Sequence, residues 1–192
     1  MKYFVEKEDF IFNTRVYQKI CYDNNDIKTK EIEEIAEKAT KLMRQFEEKL
    51  SFFYESSEVS SINENASNGF IKISNDTFEI LKKSIYYSKL TNGIFDITIA
   101  PLVKAWAINS DNPTILSKEK IDELIDYEDV ILNKNNSTVM LLRKNQKIDL
   151  GGIAKGYIAD KIIDFYKENN IDSAIINIGG NIKVLGQKDE NS

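Results

Sequence analysis

Histidine is absent from the 192-residue chain, which removes the commonest general base and a frequent transition-metal ligand from any chemistry it runs. Cysteine occurs once, at Cys21. One cysteine makes no intramolecular disulfide, and the setting Lys19-Ile20-Cys21-Tyr22 lacks the small residues that precede a lipid-modified cysteine; Cys21 reads as a strand residue. No stretch reaches the roughly 20 apolar residues of a membrane span. The first nine residues interleave charged with apolar side chains, so a signal-peptide core is missing and the expected compartment is the cytoplasm. Long runs of like charge are missing too. With 31 acidic against 26 basic residues and a net charge of -5, nothing forms the basic stripe that a nucleic-acid partner requires. Only two prolines occur, and neither an internal repeat nor a low-complexity linker is found, so residues 1–192 read as a single domain.

What is present is an ordinary globular composition, 42% hydrophobic and 10% aromatic, enough for a buried core at this length. Residues from about Asp9 to Tyr22 alternate loosely and predict a half-buried strand. From Thr29 the period changes: Ile32, Ile35, Ala36, Ala39, Leu42, Met43, Phe46 and Leu50 fall at helical spacing. A long amphipathic helix is expected from about Thr29 to Phe53. The serine- and asparagine-rich stretch Glu55 to Gly69 predicts a loop, or a loop with a short helical turn. A second helix is expected from a capping box at Asp76-Thr77-Phe78-Glu79 to about Leu90, and a short one from Ser117 to about Asp126. Asp129 to Leu132 and Thr138 to Leu142 read as a hairpin. Then Lys147 to Leu150 reads as a strand, Gly151-Gly152 as a turn, and Ala154 to Tyr166 as a helix. Ala174 to Ile178 and Ile182 to Leu185 read as strands around Gly179-Gly180. Helices and strands are intermixed, which predicts an α+β fold.

Several segments carry possible chemistry. A strand that feeds Gly151-Gly152 and then a helix presents free backbone amides and a positive helix end to an anion. It matches neither the dinucleotide fingerprint nor the P-loop, and tight helix-strand packing explains the glycines equally well. Asp96, inside the apolar run Gly93-Ile94-Phe95-Asp96-Ile97-Thr98, needs a partner when buried: a ligand, or the turn beginning near Thr98 that it can cap. Trp106 reads as core. Asn177-Ile178-Gly179-Gly180-Asn181 is a polar turn between strands. Phe52-Phe53-Tyr54 would ordinarily be core, although an aromatic beside a serine loop can also stack on a flat ring.

Taken together, these segments resemble the FAD:protein FMN transferases of the ApbE type. Leu50-Ser51-Phe52-Phe53-Tyr54 with Glu55-Ser56-Ser57-Glu58-Val59-Ser60-Ser61-Ile62-Asn63 is similar to one signature, and Gly93 to Val103 to a second. Asp149-Leu150-Gly151-Gly152-Ile153-Ala154-Lys155-Gly156-Tyr157-Ile158-Ala159-Asp160 and Asn177 to Asn181 match two more, in the family's order. Phe12-Asn13-Thr14 resembles an M-G-T strand and departs from it at Phe12 and Asn13.

The resemblance implies an α+β fold with a long helix and further helices on a mostly antiparallel sheet. It implies a magnesium-dependent enzyme that cleaves FAD, attaches FMN through a phosphoester to a threonine or serine of an acceptor flavoprotein, and releases AMP. Carried over by position, Phe12, Phe53, Ile94, Phe95, Asp96, Asp149 and Lys155 would contact FAD. Gly152 would ligate magnesium through its backbone carbonyl, an oxygen that a hard cation accepts. Family members continue past the position of Ser192, and the histidine, aspartate and threonine expected to act in catalysis lie in that continuation. The chain is therefore expected to be a truncated form, its catalytic residues unassigned and a sheet edge left exposed. Two alternatives stay open: a non-catalytic module that binds flavin or a partner, and a generic nucleotide-binding domain.

Overall fold

The computed structural model describes residues 2–23, 29–106 and 113–186. Two compact units are present, Met1–Glu47 with Ala154–Ser192 as the first and Glu48–Ile153 as the second.

In the first unit, β1 (Lys2–Ile11) and β2 (Thr14–Asp23) form an antiparallel hairpin, and β6 (Ser173–Ile178) and β7 (Asn181–Leu185) form another. Joined antiparallel through β2 and β6, they give a four-stranded sheet of order β1-β2-β6-β7. One strand was expected from Asp9 to Tyr22; the chain instead turns at Phe12-Asn13, with φ of 57° and 54°. Two positive φ values match a two-residue type I′ turn, which no glycine announces.

The pleat sorts side chains by parity. Val16, Ile20, Ala174, Ile176 and Ile178 are buried on one face, whereas Phe4, Phe10, Ile182 and Val184 are exposed. The buried face meets α1 (Thr29–Leu50) and α6 (Ala154–Glu168). Phe46 of α1 stands edge-on to Tyr157 of α6, centroids 6.2 Å apart, a favoured aromatic geometry. A buried polar relay crosses this core. Tyr166 donates to the Gln18 carbonyl oxygen at 2.6 Å, the Gln18 amide donates to Thr40 at 2.8 Å, and Thr40 donates to Asp9 at 2.9 Å. Each buried polar group in the relay thus has a partner, which removes the desolvation penalty of burying it.

In the second unit, β3 (Ile71–Lys72), β5 (Thr138–Leu141) and β4 (Val130–Asn133) form an antiparallel sheet of order β3-β5-β4. It packs with α2 (Glu58–Asn65), α3 (Asn75–Leu90), α4 (Ala100–Trp106) and α5 (Lys118–Leu124) around Val59, Ile62, Leu81, Ile97, Val139, Leu141 and Ile148. The architecture is α+β with antiparallel sheets.

Four further elements differ from the sequence reading. The long helix ends at Leu50, before Phe53, because the Ser51 hydroxyl accepts from the Phe53 and Tyr54 amides and bends the chain away. The serine-rich stretch contains a two-turn helix, α2, capped by Ser57, whose side chain accepts from Ser60 N. Helix α3 starts earlier than expected: Ser74 caps it, while Asp76 pairs with Lys49 at 2.9 Å. Trp106 is 47% exposed rather than core.

Candidate functional site

Residues from three signature segments meet in the second unit. Lys147 to Leu150, expected as a strand, joins no sheet; it makes a single parallel bridge, Lys147 to Ile99. Its backbone is held by individual groups instead. Asp149 N donates to Ile97 O at 2.8 Å. On the preceding residue, the Asn63 side chain makes two bonds: its amide donates to Ile148 O at 3.0 Å, and its oxygen accepts from Ile148 N at 2.7 Å. The chain then turns sharply, the Asp149 carboxylate accepting from Gly151 N at 2.8 Å and Ile153 N donating to Leu150 O at 3.0 Å.

Over this turn lies the ring of Phe95. A Cβ built on Gly152 would stand 3.2 Å from Phe95 Cε2, so a side chain there would press the ring back by a few tenths of an ångström. The Gly93–Asp96 segment and the Gly151–Gly152 turn, far apart in sequence, are thereby brought together. Both glycines of the turn are exposed.

Asp96 has a different setting from the one expected of a ligand contact alone. One carboxylate oxygen accepts from the Thr98 amide and hydroxyl, both at 2.7 Å, and the other accepts from Tyr127 N at 3.0 Å. Thr98 in turn accepts from Asp126 N at 2.8 Å. Asp96 thus caps the turn before α4 and ties it to the 126–127 segment, the alternative reading of its role. Desolvation first, then the carboxylates of Glu128, Asp126 and Asp96, push the Tyr127 phenol above its ordinary pKa, so it stays protonated.

Phe53 and Ile94 are apolar side chains that the packing leaves outside. Phe53 is 83% exposed, with its ring edge-on to Phe52, and Ile94 is 91% exposed. Phe53 sits on a turn that Ser57 and Ser60 fasten to the start of α2, through Ser51 O and Tyr54 O at 2.6 and 2.8 Å. Its connection to the Gly151–Gly152 turn runs through α2 and Asn63.

The remaining expected residues belong to the first unit. Phe12 opens the β1–β2 turn, where its amide donates to the Glu47 carboxylate of α1 at 2.6 Å. A bulky residue with positive φ is a strained choice, and this bond fixes it. Beside it, Gly179 has φ +55°, and a Cβ there would come within 2.7 Å of Thr14 side-chain atoms. Only glycine satisfies both conditions. Asn177 accepts from Gly180 N at 2.9 Å, closing the β6–β7 turn. A Cβ on Gly156 would lie 3.9 Å from the Asn181 side-chain oxygen, so this turn adjoins the first turn of α6. Lys155, half-buried, is the second residue of that helix, among amide groups without intrahelical partners.

The donor set for a metal is thin. Gly152 has no side-chain donor, and Phe95 lies where one would project. Among the described residues no three His, Cys, Asp or Glu side chains gather around one point. The residues present therefore do not themselves compose a magnesium site. Sequence reading overlooked Asn63 and Glu47 as supports, because each bonds a main-chain group 35 or more residues away.

The sequence profile of the ApbE family matches residues 12–192. A curated FAD:protein FMN transferase of Klebsiella pneumoniae is 30% identical over 158 residues, covering 81% of this chain and 50% of that protein. Its counterpart in Chlamydia pneumoniae is 31% identical over 138 residues, 68% of this chain and 42% of that protein. Among solved structures, an ApbE protein from Thermotoga maritima superposes with a TM-score of 0.83 at 29% identity, over 97% of this chain and 60% of that one. The flavin transferase ApbE of Vibrio cholerae superposes at 0.86 with 21% identity, over 98% of this chain and 61% of that one, a likeness of fold. The chain spans about half the length of the curated relatives it matches. No helix among the described residues is long and apolar enough to cross a membrane.

Proposed function

The chain belongs to the ApbE family, and from that premise we propose that it binds FAD and serves in FMN transfer to an acceptor flavoprotein. In that reaction the oxygen of an acceptor threonine or serine bonds to the phosphorus of the FMN half, the diphosphate P–O bond breaks, and AMP leaves with its electron pair. The observation that supports the reading most is the seating of Phe95 over Gly152 beside the Asp149 turn, which brings two separated family signatures together.

Under this proposal Phe53 and Phe12 pack on the flavin nucleotide, and the exposed ring of Phe53 suits a flat heterocycle. Ile94, Phe95 and Asp96 line the nucleotide pocket. Lys155 supplies a positive charge, with the amides of the first turn of α6, toward the diphosphate. Asp149, while capping Gly151, retains lone pairs for a hydroxyl or amide donor of FAD. Of the residues present only the Gly152 carbonyl could serve as an oxygen ligand for magnesium, its other donors lying outside this set, and the ion would offset charge on the diphosphate. The acceptor's hydroxyl proton passes to solvent or to the phosphate of the departing AMP. Treating 1–192 as one functional domain is part of the same proposal.

A second reading, a flavin-binding module without catalysis, draws support from the Phe95 ring at Gly152, where a side-chain metal ligand would project. Incubation with FAD, magnesium and a flavin-acceptor protein, followed by in-gel flavin fluorescence, separates the two. Fluorescent acceptor supports transfer; quenching of FAD fluorescence by the chain with a dark acceptor band supports the module. No interaction with FAD by either measure would sink both.

A further inference from the structure

Asn63 grips the backbone of the 147–150 segment through both polar groups of its side chain, donating to one main-chain atom and accepting from another. We propose that Asn63 is a positioning residue for the candidate site, holding the Asp149–Gly152 turn in the shape that receives FAD; this rests on the reading of the chain as an FAD-binding protein.

The geometry is that of a β-bridge made by a side chain. A primary amide offers a donor and an acceptor in the same plane, as a peptide group does, and Asn63 uses both on Ile148, at 3.0 and 2.7 Å. A sheet would normally supply these bonds, yet here the segment has one bridge, at Lys147, and a main-chain bond from Asp149 N to Ile97 O. Asn63 and Ile97 therefore pin consecutive residues, Ile148 and Asp149, immediately before the turn. The next bond along the chain is the Asp149 cap on Gly151, which sets where Gly152 meets Phe95. Asn63 is itself placed by α2, which Ser57 caps and whose Val59 and Ile62 are buried. Truncating Asn63 would leave Ile148 N and O without these partners inside a packed region, Ile148 being fully buried, and the segment would shift to find others.

The test uses the full chain and three variants. Asn63→Ala removes both bonds. Asn63→Asp keeps the shape but has no donor for Ile148 O while ionised, and regains one when its carboxyl is protonated. Ile148→Val trims the same segment's packing without touching the hydrogen bonds. FAD affinity is read by flavin fluorescence quenching and stability by thermal melting. The expected result is a tenfold or greater loss of affinity in Asn63→Ala, and less than twofold in Ile148→Val even if both melt lower by the same amount. Asn63→Asp, divided by wild type at each pH, should recover affinity as pH falls through the carboxylate range. Unchanged affinity in Asn63→Ala, or equal losses in Asn63→Ala and Ile148→Val, would overturn the proposal. If wild type binds no FAD, the functional reading fails while the positioning role is still decided by amide hydrogen exchange. Faster exchange at Gly151 in either Asn63 variant, but not in Ile148→Val, supports that role, and unchanged exchange refutes it.

Discussion

At the scale of single residues, Asp96 shows how a motif position carries structural work as well. Its carboxylate accepts from three groups, at Thr98 and Tyr127, so Asp96→Ala strands two backbone amides and a hydroxyl. A role in ligand contact alone would have this change weaken FAD binding and leave the fold untouched. The geometry predicts instead a loss of about 1–3 kcal/mol in stability, read as a lower urea midpoint, with Asn at the same position milder because its amide oxygen still accepts from Thr98 although the Tyr127 bond is lost. An Asp96→Ala midpoint equal to wild type would show the cap to be dispensable.

A second residue-scale expectation concerns pH. Burial pushes the Tyr166 phenol well above its ordinary value, and the group is neutral and donates to Gln18 in the fold. Below about pH 10 the folded and unfolded chains both hold this proton. Above it the unfolded chain releases the proton and the folded chain does not, so stability is full below about pH 10 and declines as pH rises toward the higher folded value. Tyr17 shifts the same way, so the comparison must be made against Tyr166→Phe. That variant should be less stable by about 1–3 kcal/mol at neutral pH, through the unpaired Gln18 oxygen, and should lose stability less steeply in alkali. Parallel pH curves would mean that the buried phenol is not what titrates.

At the scale of elements, legibility followed the range of the forces involved. Helices α1, α3 and α6 were readable because their apolar residues recur at the helical period, and β4–β5 because turn residues separate two apolar runs. The β1–β2 turn was not readable, since Phe12 and Asn13 replace the glycine that usually announces a type I′ turn. The non-helical hold on Lys147 to Leu150 was also hidden, because its apolar alternation is that of a strand while its partners are Asn63 and Ile97. No local period predicts the meeting of Phe95 with Gly152. The turn also carries a prediction. Replacing Phe12 by Asn and Asn13 by Gly supplies residues suited to positive φ, relieving about 1 kcal/mol and raising the melting temperature by about 2–4 °C. The same double variant should bind FAD more weakly if Phe12 packs on the nucleotide. A lower melting temperature would mean that the half-buried Phe12 ring contributes more than its backbone strain removes.

At the scale of the whole molecule, the first unit is assembled from both ends of the described chain, with the second unit's residues running between them. The pairing of β2 with β6, from Val16↔Ile178 to Cys21↔Ser173, is the seam. On a ribosome β2 emerges well before β6, and contacts so far apart in sequence form slowly. Until β6 arrives, the β1–β2 hairpin waits with Val16 and Ile20 uncovered and one edge unpaired, the kind of surface on which nascent chains associate wrongly. The intervening residues have a local hairpin and capped helices of their own, so they can collapse first and bring β2 and β6 closer before the seam is made. Folding order here thus runs against chain order: the later second unit becomes compact while the earlier β1–β2 hairpin is still waiting for β6.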